Sequence, residues 1–238
     1  MLILNDLLNY KNLKIYQDNN MFNFSIDSIL LARFVKLKND VKIIDIGTNN
    51  CVIPLIMSLY SNSKITAIEI QQKAYNIAKK NITINNKEEK INLVWGDIKD
   101  FSKNNNNYFD IVVCNPPYFK VEDSSKKNIS IAKTLSRHEV SLNIDELLQC
   151  SSKILNNKKD FYMIHLTERF DEIILKLRKY KLTPKFVQFI YPKENIKSNR
   201  FMIHCKYNAN QGISILPPLI INEKNGSYTR EVQKFFNE

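Results

Sequence analysis

Between Val41 and Cys114 the chain alternates short runs of β-branched and apolar residues with stretches of helical periodicity, and this alternation constrains the fold more than any other feature. Lys42–Ile46 (KIIDI), Lys64–Glu69 (KITAIE), Ile91–Trp95 (INLVW) and Phe109–Cys114 (FDIVVC) are predicted strands, with helices predicted over Pro54–Tyr60 and Gln71–Ile84. Strands that are apolar almost throughout require cover on both faces, which is the condition of a parallel sheet rather than of an amphipathic hairpin. The expectation is a doubly wound α/β sheet, with ligands bound at the carboxyl ends of its strands.

Further along, Asn143–Leu155 carries Ile144, Leu147, Leu148 and Ile154 at helical spacing with Asp145 and Glu146 in its first turn, and Thr167–Lys179 reads as a second helix. Asp160–Leu166, Lys185–Tyr191 and Arg200–Tyr207 are predicted strands, bringing the sheet to seven. The last two have little helix between them and are expected to form an antiparallel hairpin at the sheet edge. Upstream, Ser25 is positioned to cap a helix over Ile26–Leu37, with Asp27 in the first turn. Asn104–Asn107 reads as a polar loop, and the charged, Ser-rich Lys120–Lys133 as a mobile segment. No repeat or compositional break divides the chain. One domain is expected, made of an N-terminal extension (1–40), a core (41–210) and a C-terminal extension (211–238).

Composition narrows the class. With 238 residues, 44% of them hydrophobic and 25% charged, the chain can build a core without metal or disulfide. Cys51, Cys114, Cys150 and Cys205 form no CxxC pair and no pattern of zinc ligands, so no metal is expected. The first residues offer neither a basic leader nor a cleavage site, and no apolar run approaches the roughly 20 residues of a membrane span. A cytoplasmic protein without membrane contact is expected. The net charge of +11 invites a polyanionic partner. Arginine supplies only six of the 35 basic residues, however, and a coding bias toward Lys, Asn and Ile accounts for the charge equally well.

Four features fall at the carboxyl ends of successive strands. Asp45-Ile46-Gly47-Thr48-Asn49-Asn50-Cys51 is a strand-to-helix turn in which one of the chain's four glycines permits close approach of the backbone to a ligand. Glu69, 24 residues after Asp45, is placed to accept two ribose hydroxyls. Gly96-Asp97-Ile98 offers a short carboxylate for an adenine amine and an apolar side chain for its ring. Taken singly, each also reads as an ordinary turn. Asn115-Pro116-Pro117-Tyr118 is more specific: two prolines hold the backbone extended and leave only acceptors beside the Asn115 carbonyl, an array suited to an NH2 group, with the Tyr118 ring adjacent for stacking.

Together these residues resemble the class I S-adenosylmethionine-dependent methyltransferases, over roughly residues 40 to 210. The resemblance implies a Rossmann-like, mostly parallel seven-stranded sheet and S-adenosylmethionine held by Asp45, Gly47, Thr48, Asn49, Glu69, Ile70, Asp97, Ile98 and Asn115. The family's first motif usually has three glycines; here Asn49 and Cys51 stand where the second and third would be. Across nearly the whole chain, Gln17, Phe24-Ser25-Ile26-Asp27-Ser28-Ile29-Leu30-Leu31-Ala32, the NPPY tetrad, Arg137-His138-Glu139, Leu216-Pro217-Pro218-Leu219 and Gly226-Ser227-Tyr228-Thr229-Arg230-Glu231 are similar to the bacterial tRNA (adenine-N6)-methyltransferases, which modify the adenosine 3′ of the anticodon in a valine tRNA. That resemblance implies Asn115, Pro116 and Tyr118 as catalytic residues. It also implies an anticodon stem-loop as partner, with Pro117, Arg137 and His138 as candidate RNA contacts; Lys193, Lys197 and Arg200, around the polar stretch between the last strands, read either as phosphate contacts or as a solvated surface cluster. His165 and His204 read as structural histidines within strands. A protein glutamine methyltransferase sharing the NPPY loop and an RNA-binding module with an eroded cofactor loop remain as alternatives.

Overall fold

The protein is described by a computed structural model that covers residues 2–7, 10, 13–18, 25–118 and 142–237. Two short strands, β1 (Leu2–Asp6) and β2 (Lys14–Asp18), pair antiparallel ahead of helix α1 (Ile26–Phe34). The core then runs β3 (Ile43–Ile46), α2 (Val52–Met57), β4 (Ile65–Glu69), α3 (Gln72–Ile84), β5 (Ile91–Trp95), α4 (Ile98–Phe101) and β6 (Phe109–Cys114). After it come α5 (Ile144–Ile154), β7 (Leu155–Leu166), a 3-10 turn (Thr167–Arg169), α6 (Phe170–Lys179), β8 (Leu182–Lys193) and β9 (Arg200–Tyr207). The chain closes with β10 (Ser214–Ile215), β11 (Leu219–Asn222) and α7 (Arg230–Asn237).

The central sheet has the order β5-β4-β3-β6-β7-β9-β8, all parallel except β9, which runs antiparallel between β7 and β8. The seven expected strands and the antiparallel pair are all present. Two more were not anticipated: β10 and β11, from the C-terminal extension, add parallel to β8 on its outer side, making nine. An edge strand as long as β8 would otherwise leave a row of backbone groups unpaired, and both additions are too short to carry a strand signal of their own.

Side chains alternate across the sheet between two cores. Ile43, Ile111 and Val113 pack with α1 and α2 on one face, while Ile44, Ile46, Val112 and Cys114 pack with α5 and α6 on the other. Helix ends follow local chemistry. Asn143 caps α5 in a reciprocal box with Glu146, its side chain accepting from the Glu146 N–H at 2.9 Å. Helix α2 begins two residues earlier than the sequence suggests, directly after Cys51, and α1 ends at Phe34 because Val35 turns extended. The Lys120–Lys133 segment lies outside the described residues. No helix among those described is long and apolar enough to cross a membrane.

Helix α3 holds the outer edge of β2 with two asparagines one turn apart. Asn81 Oδ1 accepts from the Tyr16 N–H at 2.6 Å and its Nδ2 donates to the Tyr16 and Asn50 carbonyls at 3.1 and 3.0 Å. Asn85 repeats the pair on Lys14. The match is geometric: four helical residues rise about 6 Å and two strand residues about 6.7 Å. Asn81 is fully buried and also fixes the turn after β3. Asn81→Ala is expected to cost ~2–4 kcal/mol in urea unfolding, since it leaves buried backbone groups unmatched. A cost below ~0.5 kcal/mol, typical of surface changes, would show that the hairpin is held otherwise.

Candidate active site

The turn after β3 is built on three left-handed residues. Gly47, Asn49 and Cys51 have φ of 70°, 51° and 68°, and these are the positions where the resembling family places glycine. Asn accepts this conformation readily, whereas for a Cys it costs ~1–2 kcal/mol. Cys51 sits at the amino end of α2, fully buried, rather than inside the helix, and the surrounding core holds it there. Where a Cβ on Gly47 would project there is no atom within 4 Å, so the turn leaves open space above its first residue.

Asp45, just before this turn, is 1% exposed, and neither its carboxylate oxygens nor the nearby Thr48 hydroxyl has a well-formed hydrogen bond among the described residues. Burial pushes the Asp45 carboxyl up to about 7, with the Glu69 charge adding to the rise and the Thr48 hydroxyl opposing it. Glu69, also buried, ends β4 and reaches under the turn: its carboxylate accepts from the Asn49 N–H at 2.9 Å and the Gln71 N–H at 2.8 Å. Burial raises its pKa and these backbone donors restrain the rise. With about four acceptor sites, the carboxylate keeps capacity for a further donor.

At the end of β5, Asp97 caps α4 by accepting from the Lys99 N–H at 2.8 Å, and Ile98 is buried behind it. Trp95 stands 56% exposed beside this cap and donates from its indole to the Ile70 carbonyl at 3.1 Å, tying together the ends of β4 and β5. Sequence reasoning passed over Trp95; a lone tryptophan at a strand's carboxyl end was the available signal.

The loop after β6 faces the amino end of α1. Asn115 Nδ2 donates to Ser28 Oγ at 3.1 Å. The Tyr118 hydroxyl lies 2.8 Å from Asp27 Oδ2 and 3.1 Å from Asn115 Oδ1. Asp27, 1% exposed, forms an ion pair with Arg200 at 2.7 Å. The Tyr118 ring rests 5.3 Å from that of His165, with the Arg200 guanidinium 5.8 Å from its centre. Burial, then the Asp27 charge, push the Tyr118 phenol far above its usual range. His165 is pulled down to about 4 by burial and then by Arg169, and its Nδ1 accepts from the Leu166 N–H at 2.7 Å, so the ring is neutral with its hydrogen on Nε2. Pro116 is buried and Pro117 exposed.

The structure therefore gathers Asp45, Gly47, Thr48, Asn49, Glu69, Ile70, Asp97, Ile98 and Asn115 along the carboxyl edge of four neighbouring strands. Lys193 and Lys197 are exposed at the β8–β9 turn. Arg200 opens β9, as the predicted strand has it, and forms an ion pair with Asp27. Arg137 and His138 lie outside the described residues. His204 is buried, bonded to Asp160 at 2.7 Å and stacked between Tyr162 and Phe186, a structural role. Asp27 and Ser28 read in the sequence as part of a helix start and of the Phe24–Ala32 resemblance, with no role in the site; their contact with a loop some 90 residues away leaves no local trace. Among the described residues no group of three or more His, Cys, Asp or Glu side chains is placed to hold a metal.

A parallel sheet of this order with one inverted strand, acidic residues ending its first two strands and an NPPY loop ending its fourth define a class I methyltransferase. More narrowly, the chain belongs to the methyltransferase small domain family, whose pattern matches residues 12–143. It is 26% identical over 216 residues to the tRNA1(Val) (adenine(37)-N6)-methyltransferase of Shewanella woodyi, covering 87% of this chain and 88% of the relative. To the protein of the same name from Phocaeicola vulgatus it is 24% identical over 227 residues, covering 95% and 94%. Its fold matches that of a protein from Agrobacterium tumefaciens described as a predicted O-methyltransferase, with a TM-score of 0.71 at 16% identity, over 89% of this chain and 95% of that one. It also matches the geranyl diphosphate C-methyltransferase of Streptomyces coelicolor bound to S-adenosyl-L-homocysteine, with a TM-score of 0.58 at 8% identity, over 75% and 76% of the two chains.

Proposed function

We propose that this protein methylates the exocyclic N6 of an adenosine in the anticodon loop of a tRNA, a valine tRNA in the first instance, with S-adenosylmethionine as donor. The observation that carries the reading is the Asn115 carboxamide, whose NH2 end is anchored on Ser28 so that its oxygen is the end left for an incoming amine. The names of the relatives supply the choice of tRNA.

The residues fit the donor. The unmatched, buried Asp45 carboxylate and Thr48 hydroxyl, the open space over Gly47 and the free lone pairs of Glu69 are what a ligand carrying an amino acid group and a ribose diol requires. In this reading Glu69 takes the ribose hydroxyls, Asp97 and Ile98 hold the adenine, and Asp45 and the Gly47–Asn49 backbone hold the rest. When bound, S-adenosylmethionine supplies an electrophilic sulfonium methyl.

The acceptor nitrogen is a poor nucleophile because its lone pair is delocalised into the purine. Asn115 Oδ1 and the Pro116 carbonyl each accept one of its hydrogens, which favours a pyramidal nitrogen with its lone pair directed outward. Positioning and preorganised dipoles supply the catalysis, with no covalent enzyme intermediate. Tyr118 stacks on the extruded base, a contact worth ~1–3 kcal/mol. An unpaired loop base is cheaper to extrude than one in a duplex, and Lys193 and Lys197 are available to phosphates. Arg200 in this reading braces Asp27 and does not contact RNA.

The test is transfer of tritium from labelled S-adenosylmethionine into total tRNA from a strain lacking the protein, followed by nucleoside analysis. N6-methyladenosine is the expected product. Label in a protein fraction as methylglutamine would favour the glutamine methyltransferase, and no cofactor binding by calorimetry would favour the RNA-binding module.

A further inference from the structure

The Tyr118 hydroxyl has two acceptors within reach and one hydrogen to give. Asp27 Oδ2 at 2.8 Å and Asn115 Oδ1 at 3.1 Å compete for it. A charged acceptor at the shorter distance takes the hydrogen, because hydrogen bonds to ionised groups are roughly twice as strong as neutral ones. Asp27 is set up for this: it is buried, and its charge is matched by Arg200 Nε at 2.7 Å.

The consequence falls on the atom that matters for chemistry. Asn115 Oδ1 is the acceptor expected to grip the substrate amine, and a tyrosine hydroxyl donating to it would take one of its two lone pairs and weaken it as an acceptor before any substrate arrived. We infer that Asp27 is a positioning residue for methyl transfer: by drawing the Tyr118 hydroxyl hydrogen to itself, it keeps the Asn115 carbonyl open to an N–H of the substrate, while Ser28 holds the other end of the same carboxamide.

This division explains why one helical turn contacts both polar members of the NPPY loop. Ser28 fixes which end of Asn115 faces the site, and Asp27 fixes where the phenol hydrogen points. Arg200, a donor only, is the third member. It matches the charge of Asp27 at the same oxygen that Tyr118 reaches, so the carboxylate stays an ionised acceptor for the phenol hydrogen.

The inference rests on the proposed reaction and is tested by a double-mutant cycle on the full chain, with methyl transfer to tRNA as readout. Arg200 and Tyr118 share Asp27 Oδ2, so in Asp27→Asn the carboxamide oxygen faces both; as a neutral acceptor it competes less well for the phenol hydrogen, which shifts toward Asn115 Oδ1. Turnover per substrate encounter, kcat/KM, is expected to fall roughly tenfold, the scale of one hydrogen bond. Affinity for S-adenosylhomocysteine, measured by calorimetry, is expected to be unchanged. In a Tyr118→Phe background there is no hydroxyl to compete, and Asp27→Asn is expected to cost less than about twofold, a coupling of about fivefold or more between the two positions.

A purely structural role for Asp27, through its ion pair with Arg200, predicts the same loss in both backgrounds, and that result would overturn the inference. Should Asp27→Asn fail to fold, Asp27→Glu, which keeps the charge facing Arg200 and shifts the acceptor by one methylene, goes through the same cycle with the same coupling expected; equal losses there overturn it too. Wild-type protein that moves no label into tRNA would overturn the proposed reaction, and this inference with it. Labelled tRNA with equal losses in both backgrounds overturns the inference alone.

Discussion

Asn115→Ala is expected to lower the turnover of methyl transfer into tRNA by about 10²- to 10³-fold, the loss seen when one preorganised polar contact to a reacting group is removed. Binding of S-adenosylhomocysteine is expected to stay within about threefold of wild type. The asymmetry follows from the geometry. Asn115 emerges from β6 next to the turn after β3, and its carboxamide is held by Ser28 and lies beside Tyr118. The substitution takes away the acceptor for the amine and nothing that the ribose or amino acid groups require. Such an interaction is made mainly as the nitrogen pyramidalises, so its loss appears in kcat more than in KM. Single-turnover kinetics with saturating tRNA isolates that step. Loss of cofactor affinity in proportion to the loss of turnover would mean that Asn115 serves the donor, and undamaged turnover would sink the proposed reaction.

What was legible in the sequence divides along a physical line. Elements set by continuous apolar runs or by caps within a few residues were read nearly to the residue, as with Ile91–Trp95, Phe109–Cys114 and the Ser25 cap of α1. The turn after β3 was legible as a departure from three glycines, and the backbone has kept the left-handed φ at all three positions, with the buried environment of Cys51 offsetting its strain. The elements that sequence missed depend on partners far along the chain. β10 and β11 exist because β8 offers a free edge, and β2 is held by side chains of α3 some 65 residues away. The same holds within the site. The NPPY tetrad announces a loop of acceptors, but which acceptor is free is decided by Asp27 and Ser28, which read locally as an ordinary helix start. The partner of Arg200 was hidden for the same reason, since nothing local in the sequence pairs it with Asp27.

Asp45→Asn is expected to make the ligand-free protein more stable above neutral pH while weakening its hold on the cofactor. Asp45 is buried with no well-formed hydrogen bond to its carboxylate among the described residues, and burial carries its pKa from an ordinary 3.8 to about 7. The sign follows from linkage. A carboxyl whose pKa is raised by folding favours the folded state fully only below the unfolded value, and that contribution is lost as pH rises toward the folded one. Between pH 4 and 7 the unfolded chain has released a proton that the folded chain still holds, so stability falls with rising pH. Above pH 7 the accumulated penalty is on the order of 2–4 kcal/mol. A neutral carboxamide of the same shape does not titrate and escapes it. In urea titrations the variant's advantage over wild type is therefore expected to be small at pH 4, to widen through pH 7 and to level off beyond. A constant difference at every pH would show that the effect is one of packing. The same charge would suit this site to a cationic ligand, since an ammonium or a sulfonium placed near Asp45 would match a carboxylate that is otherwise buried at a cost. Calorimetry is expected to show at least tenfold weaker cofactor binding by Asp45→Asn, the loss of one charged hydrogen bond. A residue that destabilises the fold where it strengthens the site marks function in a way that no packing argument for Asp45 can.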